Sequence, residues 1–442
     1  MLLRALTRRS TGNGVRFFAA GKGKSSSSSS AAAAASSGTA TATSADWTHP
    51  TTQANLPVTK DLHIVDTLQE MAKIPVFRVL SPSGKLLEGA PDPKLSKETA
   101  VEMYKMMLKI QALDDIFYNA QRQGRISFYM QNSGEESIHI GSASALKLDD
   151  MILAQYREVG VLLWRGFTLQ QCADQCFSNE KDLGKGRQMP VHYGSKDLNF
   201  QTISSPLTTQ LPQAAGVAYA QKLSKADACT VVYFGEGAAS EGDFHAAMNF
   251  ASTLEVPLIF FCRNNGYAIS TPTQDQFHGD GIASRAVGYG MHCIRVDGND
   301  IIAVKQATEA ARKLAIEKCC PVFIEAMSYR RGHHSTSDDS TRYRSQSEIT
   351  HWQDSYDPVA RFRTYIEDKG WWNSEFEMKQ KEEERAEVLA AMEVAEGRKK
   401  PPVSELFEDV YAEKPAHILR QEQQLQEHIA KYADHYNKDG AH

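Results

Sequence analysis

The residues best suited to chemistry in this chain lie in two short segments, each of which follows an apolar run. Gly235–Gly237 reads Gly-Glu-Gly and comes directly after TVVYF, and Asn264–Asn265 follows VPLIFFC. Glycines let backbone N–H groups approach phosphate oxygens closely, but the carboxylate of Glu236 would repel a bare pyrophosphate unless a cation lay between them. Mg²⁺ prefers oxygen ligands of this kind. The two segments therefore predict a magnesium diphosphate site with Glu236, Asn265 and the Tyr267 carbonyl as metal ligands.

A dinucleotide-binding turn is the main alternative for the same glycines. Gly235, Gly237 and Gly242, followed by Glu255, mimic a Rossmann fingerprint, in which an acid ~20 residues further on binds ribose. That acid should follow the second strand, whereas Glu255 precedes VPLIFFC, and the third glycine stands two positions late. A plain turn after a strand is a further alternative. The paired asparagines at their own strand end favour the magnesium diphosphate interpretation.

The elements that must position these segments alternate between strands and helices. Strand-like runs occur at Met151–Gln155, Thr230–Phe234, Val256–Cys262, Cys293–Val296 and Val322–Ala326. Helical stretches between them, such as Leu211–Ser224 and Ile301–Ile316, predict an α/β fold: a parallel sheet with helices on both faces. Such sheets bind ligands beyond the carboxyl ends of their strands. Tyr156–Arg157 and Arg330–His334 also follow predicted strands, so one site can collect all four segments.

Composition divides the chain into four parts. Residues 1–45 are basic, lack acidic residues and run into serine and alanine tracts, which is typical of a mitochondrial transit peptide; a disordered low-complexity tail is the alternative. Residues 46–95 predict an extended N-terminal arm. Residues 96–350 form the predicted α/β domain, opened by a helix with Ser96 as candidate N-cap residue and Gly124 as its stop. Residues 351–442 predict a helical C-terminal region.

Charge, hydropathy and cysteine count exclude several classes of protein. The net charge of −5 over 442 residues gives no electrostatic case for nucleic acid binding. No apolar stretch approaches the ~18 residues that a membrane span requires. Seven cysteines, an odd number, do not suggest a disulfide framework and suit a reducing compartment.

A longer segment carries a specific family resemblance. The sequence GEGAASEGDFHAAMNFASTLEVPLIFFCRNNGYAISTP resembles the thiamine diphosphate motif of the alpha subunits of branched-chain 2-oxo acid dehydrogenases, the decarboxylating components. The resemblance continues through VDGND, GHHSTSDDS and LFEDVY and covers about residues 60–436. It implies the thiamine diphosphate-binding fold, with thiamine diphosphate and Mg²⁺ as cofactors.

The resemblance also implies an activity and partners. The activity is that of a 3-methyl-2-oxobutanoate dehydrogenase (2-methylpropanoyl-transferring): decarboxylation of branched-chain 2-oxo acids, with acyl transfer to the lipoyl group of a transacylase core. The implied assembly is a heterotetramer of two alpha and two beta subunits in the mitochondrial matrix, controlled by a regulatory kinase and phosphatase. A pyruvate dehydrogenase alpha subunit and a non-catalytic, cofactor-holding regulatory subunit are the alternatives.

Three arginines are candidates for binding the diphosphate. Arg157, Arg263 and Arg330 follow predicted strands, and guanidinium pairs bidentately with phosphate oxygens. Tyr156 adds a hydroxyl donor. By resemblance, the cofactor also contacts Ser205, Leu207, Gly235, Glu236, Gly237, Ala238, Asn265 and His334. A K⁺ site rests on resemblance alone and comprises Ser204, Pro206, Thr209 and Gln210.

The segment GHHSTSDDS supplies a candidate catalytic residue and, with the residues that follow it, two candidate phosphorylation sites. Acyl transfer to a lipoyl disulfide needs a proton donor near neutral pH, and imidazole has a suitable pKa. By resemblance, His334 has that role, although a loop histidine is more often solvated. Ser335 and Ser345 match positions at which phosphorylation switches the family off. We expect both serines to lie outside the core, because the surrounding stretch is strongly polar.

Overall fold

The computed structural model describes residues 73–90 and 93–436, with short pieces at 48–50, 55–57, 59–62 and residue 64. The chain divides into two compact units, Met1–Val65 and Asp66–His442. In the first unit, strands β1 (Thr48–Pro50) and β2 (Asn55–Pro57) pair antiparallel. The predicted transit peptide lies outside the described residues.

The second unit is built on a parallel sheet. Its strands are β3 (Val76–Phe77), β4 (Met151–Leu153), β5 (Phe200–Gln201), β6 (Thr230–Gly235), β7 (Leu258–Asn264), β8 (Tyr267–Ala268), β9 (Thr271–Pro272), β10 (His292–Asp297) and β11 (Val322–Met327). Seven of them form one sheet in the order β3-β10-β11-β7-β6-β4-β5, and every neighbouring pair is parallel. Strands β8 and β9 form a separate antiparallel hairpin directly after β7.

Helices surround this sheet and continue to the C-terminus. They are α1 (Lys97–Arg122), α2 (Glu136–Ala143), α3 (Val159–Trp164), α4 (Leu169–Cys176), α5 (Gln210–Ser224), α6 (Gly242–Leu254), α7 (Thr273–Gln276), α8 (Ala283–Gly288), α9 (Ile301–Lys318), α10 (Gln346–Tyr356), α11 (Pro358–Asp368), α12 (Ser374–Glu396) and α13 (Ala416–Lys431). Within the described part of the chain, no helix has the length and apolar character needed to cross a membrane.

Alternate residues of the central strands pack on opposite faces of the sheet. In β6, Val231 and Tyr233 belong to one hydrophobic cluster, whereas Val232 and Phe234 belong to the other. Side chains alternate along a strand, so two apolar clusters require that both faces be covered. The prediction of a parallel α/β sheet with helices on both faces is therefore confirmed.

Local signals fixed several elements. The Ser96 side chain accepts a hydrogen bond from the Thr99 amide and caps α1, as predicted. The helix ends just before Gly124, whose φ of +76° lies in the left-handed region. The Tyr104 hydroxyl of α1 donates to Glu377 of α12 at 2.9 Å, and this bond joins the C-terminal region to the α/β domain.

Residues 76–80, within the segment predicted as an arm, contribute to the sheet and its surroundings. Strand β3 pairs with β10 at the sheet edge. The buried Val79 and Leu80 donate their backbone N–H groups to the Asp300 carboxylate, at 2.7 and 2.6 Å. Asp300 also caps α9, so one carboxylate joins this segment to the helix that follows β10.

Candidate functional site

A cavity of about 420 Å³ lies at the carboxyl ends of the central strands. Predicted residues that line it are Tyr156, Arg157, Leu207, Gly235, Glu236, Gly237, Ala238, Arg263, Asn265, Tyr267, Arg330 and His334. Further lining residues, which the sequence did not single out, are Gln155, Glu241, Ala268 and Ile269. The four strand-end segments thus meet at one cavity, as parallel-sheet geometry predicts.

The glycine requirement of the Gly-Glu-Gly turn is steric and falls on Gly237. A Cβ added there would stand 2.5 Å from the Cβ of Ala268, on the β8–β9 hairpin. At Gly235 the nearest atom to an added Cβ, Oε1 of Gln155, is at 3.7 Å, an ordinary contact. The Gly235 amide instead donates to Gln155 Oε1 at 2.7 Å. Gly237 therefore allows the turn and the hairpin to close one wall of the cavity.

Glu236 carries a buried carboxylate oxygen that nothing in the described structure satisfies. The residue is 1% exposed, and its Oε2 accepts only a long bond from the backbone N–H of Asn265, at 3.4 Å. Its Oε1 is buried without a hydrogen-bond partner among the described residues. Burial, reinforced by the neighbouring Glu135 carboxylate, raises the pKa of Glu236. An unpaired buried carboxylate is costly, so this arrangement fits a cation.

The side-chain amide of Asn265 has a fixed orientation. Its Nδ2 donates to Oε1 of Glu135 at 2.7 Å, because a carboxylate can only accept. Asn265 Oδ1 accepts a long bond from the Tyr267 amide, at 3.3 Å, across the turn at Gly266. The Glu236 carboxylate and the Asn265 side chain therefore lie at one wall of the cavity, which Tyr267 also lines. Carboxylate and amide oxygens are ligands that Mg²⁺ prefers.

Three arginines surround the cavity, each 1–2% exposed and each held by protein acceptors. Arg157 donates from Nη2 to the His334 carbonyl at 2.8 Å. Arg330 donates from Nη2 to the Ile269 carbonyl and to the Tyr343 hydroxyl, both at 2.8 Å. Buried and immobilised guanidinium groups provide a preorganised positive field for an anion.

Arg263 differs from the bidentate phosphate ligand that the sequence predicted. Its Nε and Nη1 donate to Glu158 and Glu135 at 2.5 Å each, and both carboxylates are fully buried. Nη2 is then the guanidinium nitrogen available to a ligand in the cavity. The arginine contributes charge and one donor rather than a two-nitrogen fork.

His334 is held neutral and in one tautomer. Burial, together with the charges of Arg157 and Arg330, lowers its pKa to about 3. Its Nδ1 lies 3.5 Å from Arg157 Nη2 and 3.4 Å from Arg330 Nη1. Arginine only donates, so Nδ1 accepts and Nε2 carries the proton. The ring therefore offers Nε2–H as its donor.

The loop around His334 is ordered by polar contacts. Asp338 accepts from the His334 amide at 2.7 Å and from the Tyr343 hydroxyl at 2.6 Å. Ser345 is exposed and caps α10 by accepting from the Glu348 amide. The Glu348 carboxylate in turn accepts from the hydroxyl of Tyr267, at 2.9 Å. Glu348 thus joins Ser345, at the end of this loop, to Tyr267 at the cavity.

The expectation that the stretch after His334 lies outside the core is wrong for part of it. Ser335 is 8% exposed, and the neighbouring residues Thr336, Ser340 and Arg344 are also buried. Backbone partners make this possible: Thr336 Oγ1 accepts from the Tyr129 amide at 3.1 Å. Polar side chains can be buried when their hydrogen bonds are satisfied.

Ser205 does not line the cavity. Its hydroxyl lies 2.8 Å from Nε2 of His192, whose Nδ1 lies 3.1 Å from the Pro190 carbonyl. A carbonyl can only accept, so Nδ1 carries the proton and Nε2 accepts from Ser205. Leu207 of the same exposed loop does reach the cavity.

The four residues of the predicted K⁺ site lie in that loop and at the start of α5. Ser204 and Pro206 are exposed. The Thr209 hydroxyl donates to the Pro206 carbonyl at 3.3 Å, and the Gln210 amide donates to the Tyr233 carbonyl at 3.2 Å. In the second bond Gln210 uses its Nε2, so its Oε1, the atom that a cation would bind, is not occupied by that bond.

The dinucleotide alternative fails on geometry. Glu255 follows α6 and precedes β7, so it lies at the amino end of the sheet. The Gly235–Gly237 turn lies at the opposite, carboxyl end. One nucleotide at that turn cannot reach Glu255.

Sequence reasoning missed the buried acids behind the cavity. Glu135 immediately precedes α2, and Glu158 immediately precedes α3. Each stands in a short polar segment, SGEES or QYREV, that could have indicated a buried charged network. Nothing local identifies Arg263 as their shared partner, because it is more than 100 positions away in the chain.

Known proteins resemble this chain over most of its length. The family described as "Dehydrogenase E1 component" matches residues 104–404. The chain is 54% identical over 379 residues to the 2-oxoisovalerate dehydrogenase subunit alpha, mitochondrial, of Caenorhabditis elegans, a match that covers 86% of this chain and 88% of the relative. The protein of the same name from Dictyostelium discoideum is 55% identical over 364 residues, 82% of each chain. The one from Homo sapiens is 53% identical over 366 residues, 83% of this chain and 82% of the relative.

Proposed function

Since this chain belongs to the dehydrogenase E1 component family, which is thiamine diphosphate-dependent, we propose that it is the alpha subunit of a branched-chain 2-oxo acid dehydrogenase. Its reaction is the oxidative decarboxylation of branched-chain 2-oxo acids, with acyl transfer to a lipoyl group of a transacylase component. The names of the relatives also favour a mitochondrial location. A reducing compartment such as the matrix suits its free cysteines.

The unpaired buried Oε1 of Glu236 is the observation that carries the cofactor assignment. We assign Glu236, the Asn265 amide oxygen and the Tyr267 carbonyl to Mg²⁺. Arg157, Arg330 and Nη2 of Arg263 supply positive charge to the diphosphate. Thiamine diphosphate, when bound, supplies the nucleophilic carbon for decarboxylation. The protein's part is to anchor the cofactor, exclude water and place proton donors.

His334 is the proposed proton donor for acyl transfer. In the cofactor-free cavity the ring is neutral, with the proton on Nε2, so it can donate a hydrogen bond but must take up a second proton before it can act as a general acid. An anionic diphosphate near Arg157 and Arg330 would offset part of their charge, and that raises the affinity of the ring for a second proton. Cofactor binding therefore raises the pKa of His334 toward the range that suits acid–base catalysis.

A beta subunit is the expected partner, because this chain carries a single diphosphate motif. Exposed apolar residues on helices α5 and α6 support a large contact there: Leu223 is 66% exposed and Phe250 59%. Gly216, exposed on α5, has no atom within 4 Å of an added Cβ, so another backbone can approach closely. This face suits the second subunit of the proposed heterotetramer.

Phosphorylation of Ser335 or Ser345 by a regulatory kinase, reversed by a phosphatase, is the proposed control. A phosphate on Ser335 would stand near the Asp338 carboxylate and the anionic cofactor, and it would be repelled by both. Because Ser335 is buried, the loop must open before a kinase reaches it. K⁺ at Ser204, Pro206, Thr209 and Gln210 is a further proposal, in which the Pro206 carbonyl would also keep its bond from the Thr209 hydroxyl and Gln210 would use Oε1.

Substrate preference in the assembled enzyme tests this function. The chain is coexpressed with a cognate beta subunit, and decarboxylation of 3-methyl-2-oxobutanoate is compared with that of pyruvate. We expect a strong branched-chain preference that appears only with the beta subunit, Mg²⁺ and thiamine diphosphate. A pyruvate preference would assign the chain to a pyruvate dehydrogenase. Cofactor binding without turnover on either acid would favour a regulatory subunit.

A further inference from the structure

Glu135 is a buried acid that contacts three site residues without lining the cavity itself. It is 0% exposed. Its Oε1 accepts from Asn265 Nδ2 at 2.7 Å, and its Oε2 accepts from Arg263 Nη1 at 2.5 Å. Arg157 Nε lies 3.8 Å from Oε1. One carboxylate therefore joins a proposed metal ligand to two arginines of the proposed diphosphate site.

The contact with Asn265 decides which end of the amide the cavity meets. An asparagine amide has nearly the same shape in its two flipped orientations, but only one presents oxygen to a cation. A carboxylate accepts and never donates, so Glu135 selects the orientation with Nδ2 toward itself. Asn265 Oδ1, which accepts the long bond from the Tyr267 backbone N–H, then has a second lone pair for the metal.

Charge balance for Arg263 does not explain why Glu135 is present. Glu158 already pairs with Arg263 at 2.5 Å and accepts from the backbone amides of Gln155 and Arg157. A second fully buried carboxylate at this place costs desolvation free energy. Its distinctive hydrogen bond is the one from the side-chain amide of Asn265.

We propose that Glu135 is a positioning residue for the metal site: it fixes the Asn265 amide so that oxygen faces Mg²⁺, and it holds Arg263 in the same contact. This role rests on the proposed Mg²⁺·thiamine diphosphate function. Outer partners that orient metal ligands typically change metal affinity by about 10–100-fold when they are replaced.

A swap of hydrogen-bond donor and acceptor tests the proposal. In Glu135→Gln, the new amide can accept from Arg263 while its NH₂ group faces residue 265, which turns the Asn265 amide around. In Glu135→Gln/Asn265→Asp, the NH₂ group introduced at position 135 meets a carboxylate, and residue 265 again presents oxygen to the metal. Asn265→Asp alone places two carboxylates against each other.

The readout is the Mg²⁺ concentration that half-saturates thiamine diphosphate binding to the assembled enzyme, measured by calorimetry or tryptophan fluorescence without substrate. We expect each single variant to raise it about tenfold or more and the double variant to recover most of the loss. Glu158→Gln, which changes the Arg263 pair but not the Asn265 amide, is the matched control. It should shift the Mg²⁺ requirement less than Glu135→Gln does.

Several outcomes would overturn the proposal. A Mg²⁺ requirement in Glu135→Gln equal to that of the unmodified enzyme would do so, as would a double variant no better than Asn265→Asp alone. The second comparison stands even if Glu135→Gln does not fold. Cofactor binding by the unmodified enzyme that needs no Mg²⁺ would instead defeat the proposed metal site, which separates the two failures.

Discussion

Gly237 and Ala268 approach so closely that a Cβ on the glycine would stand 2.5 Å from the Cβ of the alanine. The contact joins the Gly-Glu-Gly turn after β6 to the β8–β9 hairpin after β7. Tyr267, the neighbour of Ala268, carries the carbonyl assigned to Mg²⁺. The position of this hairpin therefore sets the distance between the two sides of the proposed metal site.

Gly237→Ala should weaken cofactor binding by displacing that hairpin. Overpacking typically costs about 1–3 kcal/mol, so we expect thiamine diphosphate affinity to fall about 5–150-fold. Gly242→Ala is the control, because Gly242 is exposed outside the cavity lining and no atom lies within 4 Å of an added Cβ. Calorimetric titration of the assembled enzyme measures both.

The double variant Gly237→Ala/Ala268→Gly checks the cause. Removing the opposing methyl group restores space, so affinity should return most of the way. If the double variant bound the cofactor no better than Gly237→Ala, the steric explanation would be wrong.

His334→Gln should separate the two half-reactions. If the imidazole donates a proton during acyl transfer, its loss lowers lipoyl acylation by about 10²–10⁴-fold, the usual range for a general acid or base. Decarboxylation followed with an artificial electron acceptor should fall much less. Equal losses in both assays would remove the specific role in transfer.

The pH dependence of stability should also change in His334→Gln. The folded pKa is about 3 and the unfolded pKa is about 6.5, so the unfolded state takes up a proton that the folded state refuses. The apoenzyme therefore loses stability as pH falls below about 6.5, and His334 contributes about 2 kcal/mol of that loss by pH 5.

Thermal unfolding of the cofactor-free enzyme between pH 7 and pH 5 measures this effect. The midpoint should fall less in His334→Gln than in the unmodified enzyme. His417→Gln, which changes an exposed histidine on α13, serves as the control. Parallel pH profiles for all three proteins would contradict the assignment of a depressed pKa.

Ser335→Glu should abolish overall activity by disturbing the loop that holds His334. A buried negative charge near Asp338 is repelled, and the His334 amide contact with Asp338 is the first that it threatens. Ser335→Ala should retain activity. Normal acylation of a lipoyl domain by Ser335→Glu would defeat this explanation.

The fold and the location of the site could be predicted because both depend on local signals. Apolar runs followed by Gly-Glu-Gly and Asn-Asn identify strands and their carboxyl ends, and parallel pairing brings those ends together. The Ser96 cap is equally local.

The network behind the site could not be predicted because its members are distant in the chain. Glu135 and Arg263 are 128 positions apart, and Glu158 and Arg263 are 105 apart. The bidentate role predicted for Arg263 overlooked these two carboxylates. The polar sequence around Ser335 predicts a position outside the core. Its burial is possible because the backbone N–H of Tyr129, which is distant in the chain, donates to the neighbouring Thr336 side chain.

The Mg²⁺ dependence of thiamine diphosphate binding in Glu236→Gln tests the central claim most directly. Glutamine keeps the shape of the side chain and removes its charge, so we expect the Mg²⁺ requirement of the assembled enzyme to rise about tenfold or more. The thermal midpoint without cofactor should stay equal or increase, since an unpaired buried carboxylate is lost. An unchanged Mg²⁺ requirement, with the enzyme intact, would contradict the assignment of Glu236 as the metal ligand on which this account depends.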